Sequence, residues 1–240
     1  SGKFTDAFPL ARGLFVKEAD PLILEDLRKR GRLFRAGTIE HEYPFCWRCD
    51  TPLLYYALDS WFIATTAKKE EIIAENETVE WYPEHVGRGR FGDFLHSMRD
   101  WALSRDRFWG TPLPVWECAA CGRMVVIGSR AELTERAVDP ELARRVELHR
   151  PYIDRVKLRC DCGGEMERVP HVLDTWFDSG AMHTAQWHYP FENRERFREN
   201  YPADFICEGL DQTRGWFYTL IVTGVLLHGK TPYKRVLVTG

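Results

Sequence analysis

The sequence predicts an α/β protein, part of a parallel sheet covered by helices, with a cysteine-rich insertion. Three observations carry this. The chain ends in an apolar run "ADFIC", a long apolar run "TRGWFYTLIVTGVLLHG" and a third, "KRVLVTG". That order reads as strand, helix, strand, and a β-α-β unit implies a parallel sheet. Two tight cysteine turns, "CAACG" and "CDCGG", lie within residues 116–170, where charged segments join short turns. The 240 residues are 44% hydrophobic and 29% charged, enough to build a core and too apolar for global disorder.

Taken in order, residues 1–45 form a short mixed module. Within it "DPLILEDLRKRGRLF" is a helix with Leu22, Ile23, Leu24, Leu27 and Leu33 on one side and Gly31 as its stop. "PLLYYALDSWFIAT" (52–65) is aromatic and β-rich and is predicted as strand, and "AKKEEIIAENE" as a charged helix. "WYPEHV" with Gly87 and Gly89 marks a break, and "GDFLHSMRDWALS" is a second helix with Phe94, Leu95, Met98, Trp101 and Ala102 at helical spacing. The prolines of "DRFWGTPLPVWEC" exclude helix there. "AELTERAVDPELARRVEL" is a small helix between the two cysteine turns.

The formal net charge of −3 carries no nucleic-acid signature, so RNA contact needs a local basic patch. "LIVTGVLL" is the longest apolar run and is far short of a membrane span, and "SGKFTDAFP" lacks a signal-peptide pattern. Six of seven cysteines come in tight pairs, which points to metal and a reducing compartment rather than to disulfides. Cys118, Cys121, Cys160 and Cys162 supply four sulfurs, the set for a closed structural zinc site; free thiols are the plainer alternative. Four cysteines leave no open position for catalysis. "CWRCD" is a third knuckle, but Cys46 and Cys49 lack a second pair: either they are idle or their other ligands lie outside this chain. Cys207 follows an apolar strand and reads as a buried small residue.

Glu208, Asp211, Gln212 and Arg214 crowd between two apolar runs. They follow a strand, where open α/β sheets bind ligands, and precede a helix expected to start near Gln212 or Thr213. Its free N–H groups and positive end would face the same crevice. Two readings stand: the charges cap a helix and solvate a loop, or they hold a ligand whose sugar hydroxyls a carboxylate can bind.

The strings "YPFCWRCDTPLLYYALDSWFI", "WALSRDRFWGTPLPVW", "VLDTWFDSGA", "QWHYPFEN" and "DFICEGLDQTRGWFYTL" resemble, in the family's order, the isoleucyl-tRNA synthetases, which are class I aminoacyl-tRNA synthetases. "DTWF" is shared with the valyl and leucyl enzymes, whereas "EGLDQTRGWF" is similar to the isoleucyl version. The family's HIGH and KMSKS signatures, and its editing-pocket motifs, are absent. The resemblance therefore implies a middle slice of a Rossmann-type catalytic domain with a zinc-ribbon insertion and the tail of a β-rich editing insertion. It divides the chain into 1–45, the end of the editing insertion; 46–115, the return connection and a catalytic-domain segment; 116–170, the zinc-knuckle insertion; and 171–240, the second half of the catalytic domain.

What the resemblance implies for function is ATP-dependent activation of isoleucine to isoleucyl-adenylate and its transfer to tRNA(Ile). Zn2+ is then structural, and ATP with Mg2+ is a substrate. The expected setting is a cytoplasmic monomer without membrane contact, and the slice alone is expected to be inactive. Trp176 matches the tryptophan lining the amino-acid pocket; its plain alternative is a core aromatic, and polar Asp178 and Ser179 following at a loop favour the pocket. Gln212 flanks the amino acid, while Glu208, Gly209 and Asp211 contact the adenylate, with the carboxylates on ribose hydroxyls. No residue is assigned as a nucleophile, since positioning and charge stabilisation suffice. A pocket separates isoleucine from valine by one methylene, about 1–3 kcal/mol, which is why such enzymes edit. His183 departs from an expected proline, and either alters the pocket wall or is a surface or capping residue; His188 is expected to pack structurally between Trp187 and Tyr189. Two rivals are a valyl-type ligase and a non-catalytic zinc-ribbon RNA-binding module, which "RKRGRLFR" and "GRGRF" would suit and the acidic loop would not.

Overall fold

The computed structural model describes residues 2–55 and 57–240, and the chain folds as two units, Ser1–Asp59 and Ser60–Gly240. In the first unit, helix α1 (Asp20–Lys29) forms as expected. It ends where Gly31 takes φ +63°, a left-handed value that glycine adopts without strain. The "CWRCD" knuckle is a tight turn: Cys46 N–H donates to Thr51 O at 2.9 Å, Asp50 N–H to Cys46 O at 2.8 Å, and Phe45 bridges Pro52. The strand expected over 52–65 is not continuous: β1 is only Phe62–Ile63, already within the second unit, and Tyr56 lies outside the described residues. A β-rich composition makes strand only where a neighbouring backbone takes up its N–H and C=O groups, and here that neighbour is two residues long, Trp101–Ala102.

In the second unit, α2 (Lys69–Glu77) leads into β2 (Glu80–Tyr82). The expected break at Gly87 and Gly89 is instead continuous helix: α3 (Glu84–Val86), a π-turn over Gly87–Phe91 and α4 (Gly92–His96). Gly87 is small for a packing reason, since a side chain there would collide with the Trp81 indole. Buried Asn76 ties the region together, donating to Gly87 O at 3.2 Å and accepting from Trp81 Nε1 at 3.0 Å. The helix expected to run on through Trp101 stops at His96. Ser97 Oγ donates back to the carbonyls of Asp93 and Phe94, and Trp101–Ala102 leaves as β3 to pair with β1. β4 (Ser104–Arg105) follows.

The cysteine-rich segment builds a four-stranded antiparallel sheet, order β6-β5-β8-β7, from β5 (Val115–Cys118), β6 (Met124–Val126), β7 (Leu158–Arg159) and β8 (Glu165–Arg168). The helix expected between the knuckles is two, α5 (Arg130–Arg136) and α6 (Pro140–Arg145), each opened by a side-chain cap, Ser129 and Asp139. Trp116, Leu133, Ile153, Leu158 and Met166 form their core.

β9 (Val172–Leu173) pairs with β4 and hands the chain to α7 (Thr175–Gly180), α8 (Met182–Ala185) and α9 (Arg194–Asn200). Then comes the expected β-α-β unit: β10 (Ile206–Gly209), α10 (Trp216–His228) and β11 (Arg235–Thr239), with β10 and β11 parallel. β2 joins on the far side of β11, also parallel. Phe217, Leu220 and Ile221 of α10 pack with Trp81, Ile206 and Val236 from one face of this sheet. The other face carries Cys207, Leu237 and Tyr82 in register, and all three are exposed. Cys207 is therefore not the buried residue expected, because alternation along β10 turns Ile206 inward and Cys207 outward.

His188 does not pack between Trp187 and Tyr189: its side chain is largely exposed, lies beside the Phe191 ring and pairs with Glu192 at 3.2 Å. His183 is neither a surface nor a capping residue. It is buried on α8 with Nε2 3.2 Å from Thr223 Oγ1, two helical turns along α10 from Trp216.

Candidate functional site

β10 carries Glu208 to its carboxyl end, paired with Val238, and closes at Gly209. A 3-10 turn over Leu210–Arg214 follows, and α10 begins only at Trp216, not at Gln212 or Thr213. The delay has a visible cause. Gln212 Oε1 accepts from Trp216 N–H at 2.9 Å, so the side chain takes one of the free donors of the helix start. Gln212 Nε2 donates to Asp211 Oδ2 at 3.0 Å. Thr213 is fully buried, and its hydroxyl accepts from Arg90 Nε at 3.1 Å. The turn is thus fixed from inside, while Glu208 and Asp211 stay exposed and without a cationic partner among the described residues. Two such carboxylates, with the half-buried Gly209 between them, can accept from the hydroxyls of a bound sugar.

Trp176 sits in the first turn of α7 with 41% of its surface exposed. Asp178 and Ser179 do not follow at a loop; they continue the helix. The indole edge lies against the turn: a Cβ built on Gly215 would fall 2.9 Å from it and 2.7 Å from Gln212 Oε1. Helices α7 and α10 hold this geometry. Trp216 Nε1 donates to Ser179 O at 3.0 Å, Thr223 Oγ1 to Gly180 O at 2.6 Å, and a Cβ on Gly180 would meet Thr219 at 2.9 Å. Trp176 and Gln212 thereby meet at Gly215, directly after the Glu208–Asp211 segment. Sequence reasoning missed Gly215, Trp216, Asp174, Arg105 and Trp101 at this crevice. Only Asp174 carried a local signal, an aspartate just before a helix start.

Cys118, Cys121, Cys160 and Cys162 converge, with all four sulfurs within 4.8 Å of one another. The Cys118–Cys162 and Cys121–Cys160 separations are both 3.6 Å. Four thiolates about 2.3 Å from a tetrahedral ion stand about 3.8 Å apart, so the set fits such an ion. Each knuckle turns on a glycine in the left-handed region, Gly122 at φ +69° and Gly163 at φ +84°. An Arg123–Asp161 ion pair joins the two knuckles. Backbone N–H groups of Cys121 and Ala120 aimed at the Cys118 sulfur lower its pKa to about 7, which favours the ligating thiolate. Cys46 and Cys49 belong to no group of three or more ligands among the described residues. Thr51 beside Cys49 lowers that thiol's pKa.

The family model described as tRNA synthetases class I (I, L, M and V) matches residues 16–240. Isoleucine--tRNA ligase 2 of Bacillus cereus is 53% identical over all 240 residues, which cover 23% of that protein. Isoleucine--tRNA ligase of Thermus thermophilus is 54% identical over 229 residues, 95% of this chain and 22% of that protein. The chain therefore spans less than a quarter of these curated relatives. A solved methionyl-tRNA synthetase of Mycobacterium tuberculosis, bound by methionyl-adenylate, is 16% identical over 82% of this chain and 29% of its own, at a TM-score of 0.48. With a family model spanning nearly its whole length, the chain belongs to the class I tRNA synthetases of the I, L, M and V group.

Proposed function

We propose that this chain is part of an isoleucine–tRNA ligase and supplies one wall of its aminoacyl-adenylate site. The reading is supported by identity above 50% to proteins of that name across the whole chain. One observation carries the site: Trp176 and Gln212 meet at Gly215, immediately beyond two exposed carboxylates at the carboxyl end of a parallel strand.

In this site the isoleucine carboxylate attacks the α-phosphate of ATP and pyrophosphate leaves; a hydroxyl of tRNA(Ile) then attacks the carbonyl of the adenylate, losing its proton as AMP leaves. ATP with Mg2+ enters as substrate. Glu208 and Asp211 accept from the ribose hydroxyls, Gly209 admits close backbone approach, and Trp176 and Gln212 bound the amino acid. Gln212 Oε1 is held by Trp216 N–H and one of its amide N–H groups by Asp211, so the side chain presents a fixed surface with its second amide N–H left to donate. The residues of this chain orient reactants, and none forms a covalent intermediate.

The four-cysteine group holds a structural zinc. Residues 116–170 are its insertion, 46–115 and 171–240 belong to the catalytic domain, and 1–45 end the editing insertion. The ligase works in the cytoplasm as a monomer. Titration of the full-length ligase with a non-hydrolysable isoleucyl-adenylate analogue tests the site. Glu208→Ala removes a hydrogen bond to a charged group, and affinity should fall roughly 10- to 150-fold. Wild-type affinity in that variant removes Glu208 from the site.

A further inference from the structure

Asp174 ends the short link between β9 and α7 and is 5% exposed. Its two oxygens take three donors. Oδ1 accepts from Trp176 N–H at 3.2 Å, capping α7, and Oδ2 accepts from Trp101 Nε1 at 3.1 Å and Arg105 Nη2 at 2.7 Å. Arg105 is anchored in turn, its Nη1 donating to Ala102 O at 2.7 Å and Ser104 O at 3.0 Å. The backbone repeats the link, with Asp174 N–H on Leu103 O at 2.7 Å and Arg105 opposite Val172 in the β4–β9 pair.

A helix of six residues has too few internal hydrogen bonds to fix its own direction. The direction of α7 is set by its cap and by α10. Trp176 is the second residue of that helix, and its indole is partly exposed. A tryptophan that forms a wall can discriminate between ligands only if its backbone is held, because movement of about 1 Å costs on the order of a hundredfold in a positioned reaction.

We infer that Asp174, clamped by Arg105, is a positioning residue that sets the Trp176 wall and through it the fit of the amino-acid side chain. This rests on the proposed adenylate site. Asp174→Asn presents an amide NH2 either to the donors Arg105 and Trp101, losing both of those bonds, or to the Trp176 N–H, losing that one. Arg105→Met removes the clamp from a half-exposed position, and Arg105→Lys keeps its charge.

The test is ATP–pyrophosphate exchange by the full-length ligase, with KM for isoleucine and for ATP determined separately in these three variants and in Trp176→Ala. Asp174→Asn and Arg105→Met should each raise KM for isoleucine about tenfold and leave KM for ATP within about twofold. Arg105→Lys should recover most of what Arg105→Met loses. A purely structural role would instead lower turnover while leaving both KM values unchanged or raising both alike, which overturns the inference. If Trp176→Ala raises KM for isoleucine and neither clamp variant does, the inference fails while the adenylate site stands. If Trp176→Ala has no effect either, the site reading fails and takes the inference with it. Should Asp174→Asn not fold, the two Arg105 variants decide by the same criteria.

Discussion

The backbone of Gly215 and the indole of Trp176 are in contact so close that no side chain fits between them: a Cβ on Gly215 would stand 2.9 Å from the ring edge. A segment before a strand-loop-helix crevice and the loop of that crevice are thereby made into one surface. Neither partner can be read as a site residue alone.

Gly215→Ala should therefore displace Trp176 or Gln212, whose Oε1 is also 2.7 Å from the added carbon. Overpacking of this kind costs about 1–3 kcal/mol. Urea unfolding of the full-length ligase should show a loss in that range, and KM for isoleucine should rise more than KM for ATP. Unchanged values for both would mean that the contact does not shape the pocket.

One zinc ion per molecule is expected for this chain on its own, held by Cys118, Cys121, Cys160 and Cys162. Cys160→Ser should abolish it, and stripping the metal with a chelator should expose the core around Trp116 and Met166. Two thiolates cannot close a tetrahedral site, so Cys46 and Cys49 should add no second ion to the isolated chain. Elemental analysis finding two tightly held zinc ions, or none in a metal-replete reduced sample, would contradict this.

Acid should weaken the fold through His183. Burial, with His228 beside it, holds the His183 pKa down to about 4 from 6.5, and the rings lie 5.4 Å apart. Tyr201 packs on both rings, and Tyr189 on His228. The folded ring is neutral while the unfolded chain takes up a proton first. Stability is thus complete above about pH 6.5 and is lost as pH falls toward 4, by about 3 kcal/mol from this group. Denaturant unfolding at pH 7.5 and pH 5 should show the loss, and His183→Gln should flatten it. An equal pH slope in the variant would assign the effect to other groups.

The β-α-β unit was legible because α10 is apolar on nearly every side and its two strands are short and apolar, a pattern with few alternatives. The convergence of the four cysteines was legible from their spacing alone. Residues 52–65 and 92–104 were not, because aromatic content and helical spacing are local signals. The partners that decide them, β1 with β3 and β4 with β9, are set by the tertiary fold. Asp174 shows the same limit at the site: it caps a helix where the local sequence reads as a loop, and its other partners, Trp101 and Arg105, lie 73 and 69 residues away. Gly215 offered no signal, since only the position of Trp176 explains it.

The central claim is that this chain helps form an isoleucine-activating site. ATP–pyrophosphate exchange by the full-length ligase, driven separately by isoleucine, valine, leucine and methionine, measures it most directly. One methylene in an apolar pocket is worth about 1–3 kcal/mol, so kcat/KM for isoleucine should exceed that for valine by roughly 10- to 200-fold, with leucine and methionine lower still. Preference for valine, leucine or methionine, or no amino-acid-dependent exchange at all, would contradict the account.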